Sequence, residues 1–197
     1  MRCSRSSRTE VSMRTWIAAL LVAALPGLVQ ADEALWSQLE AGEDLVVLMR
    51  HTESSGGNAL AWDETGQCSG ELRLTAKGKA HARRIGEAFA SHGIVPTVVS
   101  SPMCRCLQTA REAFGSAPLT DPDLREVASA DAARAKAYEA KALSLIAGNR
   151  GRTPLVFVSH RPNIDQLTME LIADGELLVG RANQRGEIEV LGRIAVP

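Results

Sequence analysis

The sequence is poor in aromatic residues and has almost no net charge. Aromatic side chains make up 4% of the 197 residues, and the formal net charge at pH 7 is -1. Proteins that bind single-stranded nucleic acid stack bases on aromatic rings, and proteins that bind duplexes present a basic surface to the phosphates. The composition therefore argues against a nucleic-acid partner.

Cysteine and histidine are scarce as well, with four of each in the chain. No Cys-x-x-Cys pair or His-rich segment is present, and these are the spacings typical of protein metal sites. We therefore expect no bound metal and no cofactor. The chain also lacks internal repeats and low-complexity linkers, which favours a single globular domain.

A long apolar run occurs once, between Trp16 and Val29, after a basic segment. Val29 and Ala31 then stand at the -3 and -1 positions of a cleavage site, the pattern of a secretory signal peptide. The run is short and interrupted by a Pro-Gly pair, so a stable membrane anchor is not expected. An uncleaved anchor is the alternative.

We therefore expect residues 1–31 to be a cleavable signal peptide and residues 32–197 to form one domain of a periplasmic or secreted protein. Translation starts at Met1 or at Met13, because residues 1–12 are polar and only lengthen the basic segment. An exported protein folds in an oxidising compartment, where cysteines pair. Cys104 and Cys106 cannot easily pair with each other on a helix, so we expect Cys68 to be joined to one of them.

Strands and helices alternate along the rest of the chain. Short, branched, continuously apolar runs are typical of buried parallel strands, and alanine-rich segments with charged residues are typical of helices. The pattern predicts a three-layer α/β/α sandwich with a mostly parallel sheet. We expect strands at 44–49, 96–101, 153–160 and 186–194, and helices that follow Thr75, follow Ser101 with Pro102 in the first turn, and cover 130–148 and 162–175.

Basic side chains follow three of these strands. Arg50 and His51 follow the first, Arg105 lies one turn into the helix after the second, and His160 follows the third. The carboxyl ends of parallel strands meet at one edge of a sheet, where ligands bind. Guanidinium groups and the free N–H groups of a helix N-terminus bind phosphate. A neutral imidazole in such a pocket can attack phosphorus.

Three segments, LMRHTE, SSPMCRCLQTA and VFVSHRPNI, resemble in order and spacing the signatures of the histidine phosphatase superfamily, which has a phosphoglycerate-mutase-like fold. The resemblance implies that His51 is the nucleophile and that Arg50 and Arg105 bind the phosphate. It implies that His160 contacts the phosphoryl group and assists catalysis. Thr52 stands where the family usually has glycine, although alanine and threonine also occur there.

The resemblance also implies a proton donor in a Leu-x-Glu segment, which Glu126 matches. Asp123 is the local rival, and a structural ion pair with Arg125 or another nearby cation is the alternative role for Glu126. The three cysteines and the export signal are similar to a small secreted bacterial branch that includes phosphatases of lipopolysaccharide core heptose.

The resemblance implies a phosphomonoesterase that uses a phosphohistidine and no metal. Its substrate would be a small-molecule or glycan phosphomonoester, such as an exported cell-envelope compound. Two alternatives remain open. One is a phosphate- or phosphoglycan-binding protein that does not turn over, and the other, the weaker of the two, is a phosphomutase. The sequence does not indicate an oligomeric state.

Overall fold

The computed structural model describes residues 26–127 and 131–197. The first 25 residues of the predicted signal peptide lie outside this part of the chain. Within the described part, none of the helices combines the length and the apolar character needed to cross a bilayer. The helices are α1 (Pro26–Ala41), α2 (Ala76–Ser91), α3 (Cys104–Phe114), α4 (Ala132–Gly148) and α5 (Arg161–Thr168), with a 3-10 turn at Pro122–Leu124.

Six strands form the central sheet, in the order β5-β4-β6-β1-β7-β8. Strands β5, β4, β6 and β1 are parallel, whereas β7 and β8 are antiparallel. A separate two-stranded ribbon pairs β2 with β3. The bounds are β1 (Leu45–Arg50), β2 (Ser54–Ser55), β3 (Arg73–Leu74), β4 (Thr97–Ser100), β5 (Leu119–Thr120), β6 (Leu155–Ser159), β7 (Leu177–Ala182) and β8 (Ile188–Ile194).

Strand β1 lies at the centre of the sheet and is buried on both faces. Val47 and Met49 pack into one hydrophobic cluster with residues of α1, α2 and α3, while Val46 and Leu48 pack into a second with residues of α4 and α5. The period of two along a strand sends alternate side chains to opposite faces. This arrangement confirms the predicted α/β/α sandwich with a mostly parallel sheet.

Helix α2 begins as predicted, because the Oγ1 of Thr75 accepts a hydrogen bond from the Gly78 amide at 2.9 Å. The predicted start of α3 is wrong, since Met103 rather than Ser101 precedes the first helical residue, Cys104. The Ser101 hydroxyl accepts the Met103 amide at 3.3 Å and lies 2.7 Å from the Nε2 of His160. Met103 is in the extended conformation, so the helix begins only after it.

The C-terminal part of the sheet also differs from the prediction. Helix α5 ends at Thr168 instead of 175, because Met169 adopts the left-handed conformation with φ of 57° and ends the helix. The following residues lead into β7, an antiparallel strand beside β1 that the sequence pattern did not indicate. The predicted last strand, β8, pairs with β7 at the edge of the sheet.

Candidate active site

The ends of β1, β4 and β6 converge at one edge of the sheet. In register, Arg50 pairs with Ser159, and Ser100 pairs with Val158. The residues that follow these strands therefore meet: the ring centroids of His51 and His160 lie 5.6 Å apart at an interplanar angle of 63°. The sequence-based expectation that these connections converge agrees with the observed topology.

The imidazole of His51 is held in one orientation. Its Nδ1–H donates to the carbonyl oxygen of Thr52 at 2.9 Å, which leaves the lone pair on Nε2. Burial lowers the pKa of His51 to about 3, and the charges of Arg105 and Arg50 act in the same direction. A neutral ring with its lone pair on Nε2 is the form of histidine that acts as a nucleophile.

Arg105 lies in the first turn of α3 and is 1% exposed. Its Nε–H donates to the Nε2 of His51 at 3.2 Å, and its Nη2 donates to the carbonyl oxygen of Ala59 at 3.0 Å and to Glu126. The buried Nη1 has no hydrogen-bond partner among the described residues. A buried guanidinium N–H without a partner is costly, and an oxyanion would satisfy it.

Arg50, the last residue of β1, is anchored by the segment between α5 and β7. Its Nη1 donates to the carbonyl oxygen of Ile172 at 3.2 Å, and its Nη2 lies 2.8 Å from the Asp174 carboxylate. The buried Nε has no partner in the described part of the chain. Arg50 is therefore fixed on one side and keeps one donor for an anion. The sequence did not indicate Asp174, because nothing in the sequence marks this long-range contact.

His160 is completely buried and follows β6. Its Nε2 lies 2.7 Å from the hydroxyl of Ser101, and its Nδ1 lies 3.9 Å from a carboxylate oxygen of Glu126. Burial, with the nearby charge of Arg105, lowers the pKa of His160, so its ring is neutral. Ser101 accepts the Met103 amide and has its own proton available for Nε2, which favours the Nδ1–H form of His160.

Glu126 reaches the same edge of the sheet from the loop that precedes α4. Its carboxylate contacts the Nη2 of Arg105, and its backbone is held on both sides by the Asn163 side chain. Asn163 donates to the Arg125 carbonyl at 2.9 Å and accepts the Val127 amide at 3.0 Å. Burial raises the pKa of Glu126 and outweighs the opposing effect of Arg105 and Arg50. Burial therefore favours the protonated form of Glu126 more than in an exposed glutamic acid, and a protonated carboxyl group can act as a general acid.

The rival carboxylate, Asp123, is exposed in the 3-10 turn, and its backbone amide donates to the side chain of Asp121. Asn163 was given no role from the sequence alone. Its position three residues after His160, and so one helical turn away, is the feature of the sequence that could have indicated one. The structure thus brings together Arg50, His51, Arg105, Glu126 and His160, while their chemical roles stay predictions.

The first amide of α3 is not free to bind phosphate, contrary to the sequence-based expectation for that group. The Cys104 amide donates to one carboxylate oxygen of Glu71 at 2.7 Å, and the other oxygen of Glu71 accepts the Asp63 amide at 2.8 Å. Glu71 is 2% exposed. An acidic side chain from the loop before β3 therefore satisfies this amide.

The structure joins Cys68 to Cys104, one of the two pairings that the sequence left open, with the Cα atoms 5.7 Å apart. Cys106 is a buried free thiol whose Sγ lies 3.6 Å from the Nε2 of His160. Burial raises the pKa of Cys106 to about 12, so this thiol is neutral and unreactive. Within residues 26–127 and 131–197, no group of three His, Cys, Asp or Glu side chains is placed to hold a metal ion.

Thr52 is completely buried and bonded to α3. Its amide donates to the Oγ1 of Thr109 at 3.2 Å, its own Oγ1 lies 3.3 Å from the same atom, and Thr109 donates to the Arg105 carbonyl at 2.7 Å. The side chain of Thr52 is thus turned toward α3. The departure from the usual glycine is accommodated by a specific polar contact.

Comparison with known proteins identifies relatives of this chain. The family model described as histidine phosphatase superfamily (branch 1) matches residues 46–144. A stretch of 75 residues is 35% identical to the 2,3-bisphosphoglycerate-dependent phosphoglycerate mutase of Corynebacterium diphtheriae, and it covers 36% of this chain and 28% of that protein. The match therefore spans less than a third of that mutase.

Two solved structures share the fold over most of this chain. The protein histidine phosphatase SixA, complexed with tungstate, has a TM-score of 0.55 at 18% identity and covers 77% of this chain and 96% of its own. The phosphoglycerate mutase from Thermus thermophilus has a TM-score of 0.54 at 25% identity and covers 78% of this chain and 99% of its own.

Proposed function

The chain belongs to the histidine phosphatase superfamily, and on that premise we propose that it is a phosphomonoesterase that acts through a phosphohistidine on His51. The observation that carries the proposal is the contact between the Nε–H of Arg105 and the Nε2 of His51 at 3.2 Å, with Nδ1 held by the Thr52 carbonyl. The nucleophilic lone pair and the cation that binds the phosphate thus occupy the same small volume.

Substrate binding replaces contacts that the free protein makes within the site. A phosphoryl group in front of His51 takes the Nε–H of Arg105 away from Nε2 and also satisfies the partnerless Nη1. The free Nε–H of Arg50 and the Nδ1–H of His160 supply further donors to the equatorial oxygens. These donors stabilise the charge on the transferring group, which is the main requirement of phosphoryl transfer.

In the first step, the Nε2 of His51 attacks phosphorus and the bond to the leaving-group oxygen breaks. Glu126, in its protonated form, gives its proton to that oxygen, so the alcohol leaves uncharged. The phosphorylated ring keeps its Nδ1–H and its bond to the Thr52 carbonyl, which stabilises the positive charge that the ring gains.

In the second step, a water molecule attacks the phosphohistidine. The carboxylate of Glu126 takes a proton from the water, the P–N bond breaks with its electron pair returning to Nε2, and inorganic phosphate leaves. The raised pKa of Glu126 suits a group that must give a proton in one step and accept it in the next.

The proposal is tested by trapping the intermediate. Brief reaction with a phosphomonoester labelled with ³²P, followed by alkaline denaturation, should leave label on a peptide that contains His51, and acid should release it. His51→Asn should abolish both the label and the turnover of 4-nitrophenyl phosphate. Full activity in the variant would overturn the mechanism. Activity should persist in EDTA, because the nucleophile is a side chain.

A phosphomutase is the second candidate, and the identity with the Corynebacterium diphtheriae mutase favours it. A mutase transfers the phosphoryl group from the histidine to a second substrate hydroxyl, while a phosphatase transfers it to water. Isomerisation of 3-phosphoglycerate without release of inorganic phosphate would select the mutase. Binding of phosphate esters without hydrolysis and without ³²P on His51 would support the alternative, a phosphate- or phosphoglycan-binding protein.

We also propose that the protein works outside the cytoplasm on an exported phosphomonoester, such as a phosphorylated envelope glycan of the lipopolysaccharide heptose type. Support comes from the signal-peptide pattern of residues 1–31 and from the Cys68–Cys104 disulfide, which suits an oxidising compartment. The N-terminal sequence of the protein recovered from cell fractions tests this: a start at Asp32 in the periplasm or medium supports export, and a full-length cytoplasmic protein contradicts it.

A further inference from the structure

A cavity of about 190 Å³ adjoins the carboxyl group of Glu126, the proposed proton donor, and His51 is not among the residues that line it. Glu126 and Met103 line it, and the Sδ of Met103 accepts the Glu126 amide at 3.3 Å. Typical pockets for whole small molecules enclose roughly 300–1,000 Å³, so this cavity fits part of a substrate. Because Glu126 would protonate the leaving oxygen, the part that lies beyond Glu126 is the leaving group.

Two guanidinium groups also line this cavity. Arg125 lies 4.0 Å over the ring of Trp62 and its Nε donates to the Pro122 carbonyl, so its orientation is fixed from two sides. Arg134 projects from the first turn of α4. Neither arginine forms an ion pair with a carboxylate of residues 26–127 or 131–197 within 4.0 Å, which is unlike Arg50 and Arg105.

Arg125 and Arg134 repel each other at this cavity. Burial lowers the pKa of Arg125 and the positive charge of Arg134 acts in the same direction, while the carboxylates of Glu64 and Asp123 oppose the shift without cancelling it. The Asp131 carboxylate also lines the cavity, but it accepts the Arg134 amide at 3.0 Å as the N-cap of α4 and so serves the helix end. A second anionic group would relieve the repulsion between the two arginines and accept their free N–H groups.

We propose that this cavity is a leaving-group subsite that selects phosphomonoesters bearing a second negative charge, a carboxylate or a second phosphate, through Arg125 and Arg134. The inference rests on the proposed phosphatase function, because it uses Glu126 to define the leaving-group side. Trp62 supports the subsite by holding the guanidinium plane of Arg125, as an aromatic ring does for a stacked cation.

The test compares 4-carboxyphenyl phosphate with 4-carbamoylphenyl phosphate, which has the same shape and no charge on the ring substituent. The measured quantity is the ratio of their kcat/KM values within one enzyme. Comparing this ratio between variants cancels the different intrinsic reactivity of the two esters. Arg134→Gln and Arg125→Gln should each reduce the ratio by about tenfold, as expected for the loss of a charge-assisted hydrogen bond.

Lys136→Gln is the matched control, because it removes one positive charge from the same helix at an exposed position that does not line the cavity. The ratio of the two kcat/KM values should be the same in Lys136→Gln as in the unchanged protein. Raising the ionic strength should lower that ratio in the unchanged protein, and lower it less in Arg134→Gln, which keeps only Arg125 in the subsite.

The outcomes separate the two proposals. Hydrolysis of both esters with a ratio that is the same in the unchanged protein, in Arg134→Gln and in Arg125→Gln overturns the subsite and leaves the phosphatase function standing. Failure to hydrolyse either ester, together with no label on His51, overturns the proposed function itself. An equal fall of the ratio in Lys136→Gln would show a general field effect and would also contradict the subsite.

Discussion

The Oγ1 of Thr109 in α3 accepts the Thr52 amide at 3.2 Å and donates to the Arg105 carbonyl at 2.7 Å. One hydroxyl group therefore joins the residue after the proposed nucleophile to the backbone of the arginine that contacts it. The Thr52 carbonyl in turn accepts the Nδ1–H of His51. The relative position of His51 and Arg105 thus depends on a short chain of hydrogen bonds and on the way β1 packs against α3.

Replacing Thr109 by valine keeps the shape of the side chain and removes these hydrogen bonds. We expect kcat to fall by about fivefold, the kinetic equivalent of roughly 1 kcal/mol for one lost hydrogen bond, with a smaller change in KM. Steady-state kinetics with 4-nitrophenyl phosphate measure this. Thr168→Val is the matched control, because Thr168 makes the same type of bond to the carbonyl four residues earlier, in α5. Equal effects of both substitutions would contradict a positioning role.

Replacing Glu126 by glutamine keeps its size and removes the proton that the leaving group needs. We expect kcat on an alkyl phosphate to fall by about 10²-fold or more, because an alkoxide is a poor leaving group. The fall on 4-nitrophenyl phosphate should be much smaller, since nitrophenolate leaves without a proton. Equal losses on the two esters would argue for a structural ion pair with Arg105 instead.

The pH profile adds an independent check on Glu126. Its raised pKa means that the protonated form persists to higher pH than in an ordinary glutamic acid, so kcat/KM on the alkyl ester should decline only as the pH rises through that value. Glu126→Gln should lose this alkaline limb. Asp123→Asn, the exposed rival in the same segment, should keep both the rate and the limb.

Site residues that directly follow a strand could be predicted from the sequence, because an apolar run that ends in a polar residue marks the end of a strand. His51 and His160 are of this kind, and the parallel topology brings them together. Contacts made by loops could not be predicted. The carboxylates of Glu71 and Asp174 reach α3 and Arg50 from segments with no regular pattern. The antiparallel strand β7 was missed because its short apolar part is followed directly by Gly180 and Arg181.

The disulfide connects the loop before β3 to the residue that precedes Arg105. It closes a loop with a sequence separation of 36 residues. Cys68→Ser should lower the free energy of unfolding by up to about 4 kcal/mol, from the lost restriction of the unfolded chain. Urea denaturation measures this, and reduction with dithiothreitol should reproduce it in the unchanged protein. Cys106→Ala should remain sensitive to the reductant, whereas Cys68→Ser should not.

The disulfide should also matter for activity, because the same loop carries the Ala59 carbonyl that accepts the Nη2 of Arg105. We expect KM for a phosphomonoester to rise in Cys68→Ser as this support loosens, with kcat less affected. An unchanged KM in fully reduced protein would show that the loop holds Arg105 without the covalent link.

The two buried histidines should make stability depend on pH. The folded-state pKa of His51 is lowered to about 3, and that of His160 is lowered too, so both bind fewer protons than the unfolded chain below the ordinary histidine pKa of 6.5. Their contribution to stability is therefore present above that value and is lost as the pH falls through it. The expected slope is up to about 1.4 kcal/mol per pH unit for each histidine.

Glu126 acts in the opposite direction, because its raised pKa gives stability at low pH that is lost as the pH rises through the folded value. Urea denaturation between pH 4 and pH 7, roughly the window in which an ordinary histidine gains its proton, separates these effects. His51→Asn and His160→Asn should each flatten the decline toward low pH, and Glu126→Gln should steepen it. His81→Asn controls for the loss of an imidazole outside the site. Suppose that the free energy of unfolding has the same slope against pH in the unchanged protein, in His51→Asn and in His160→Asn. The two rings would then take up protons as readily in the folded state as in the unfolded chain, which would contradict a neutral His51 as the nucleophile.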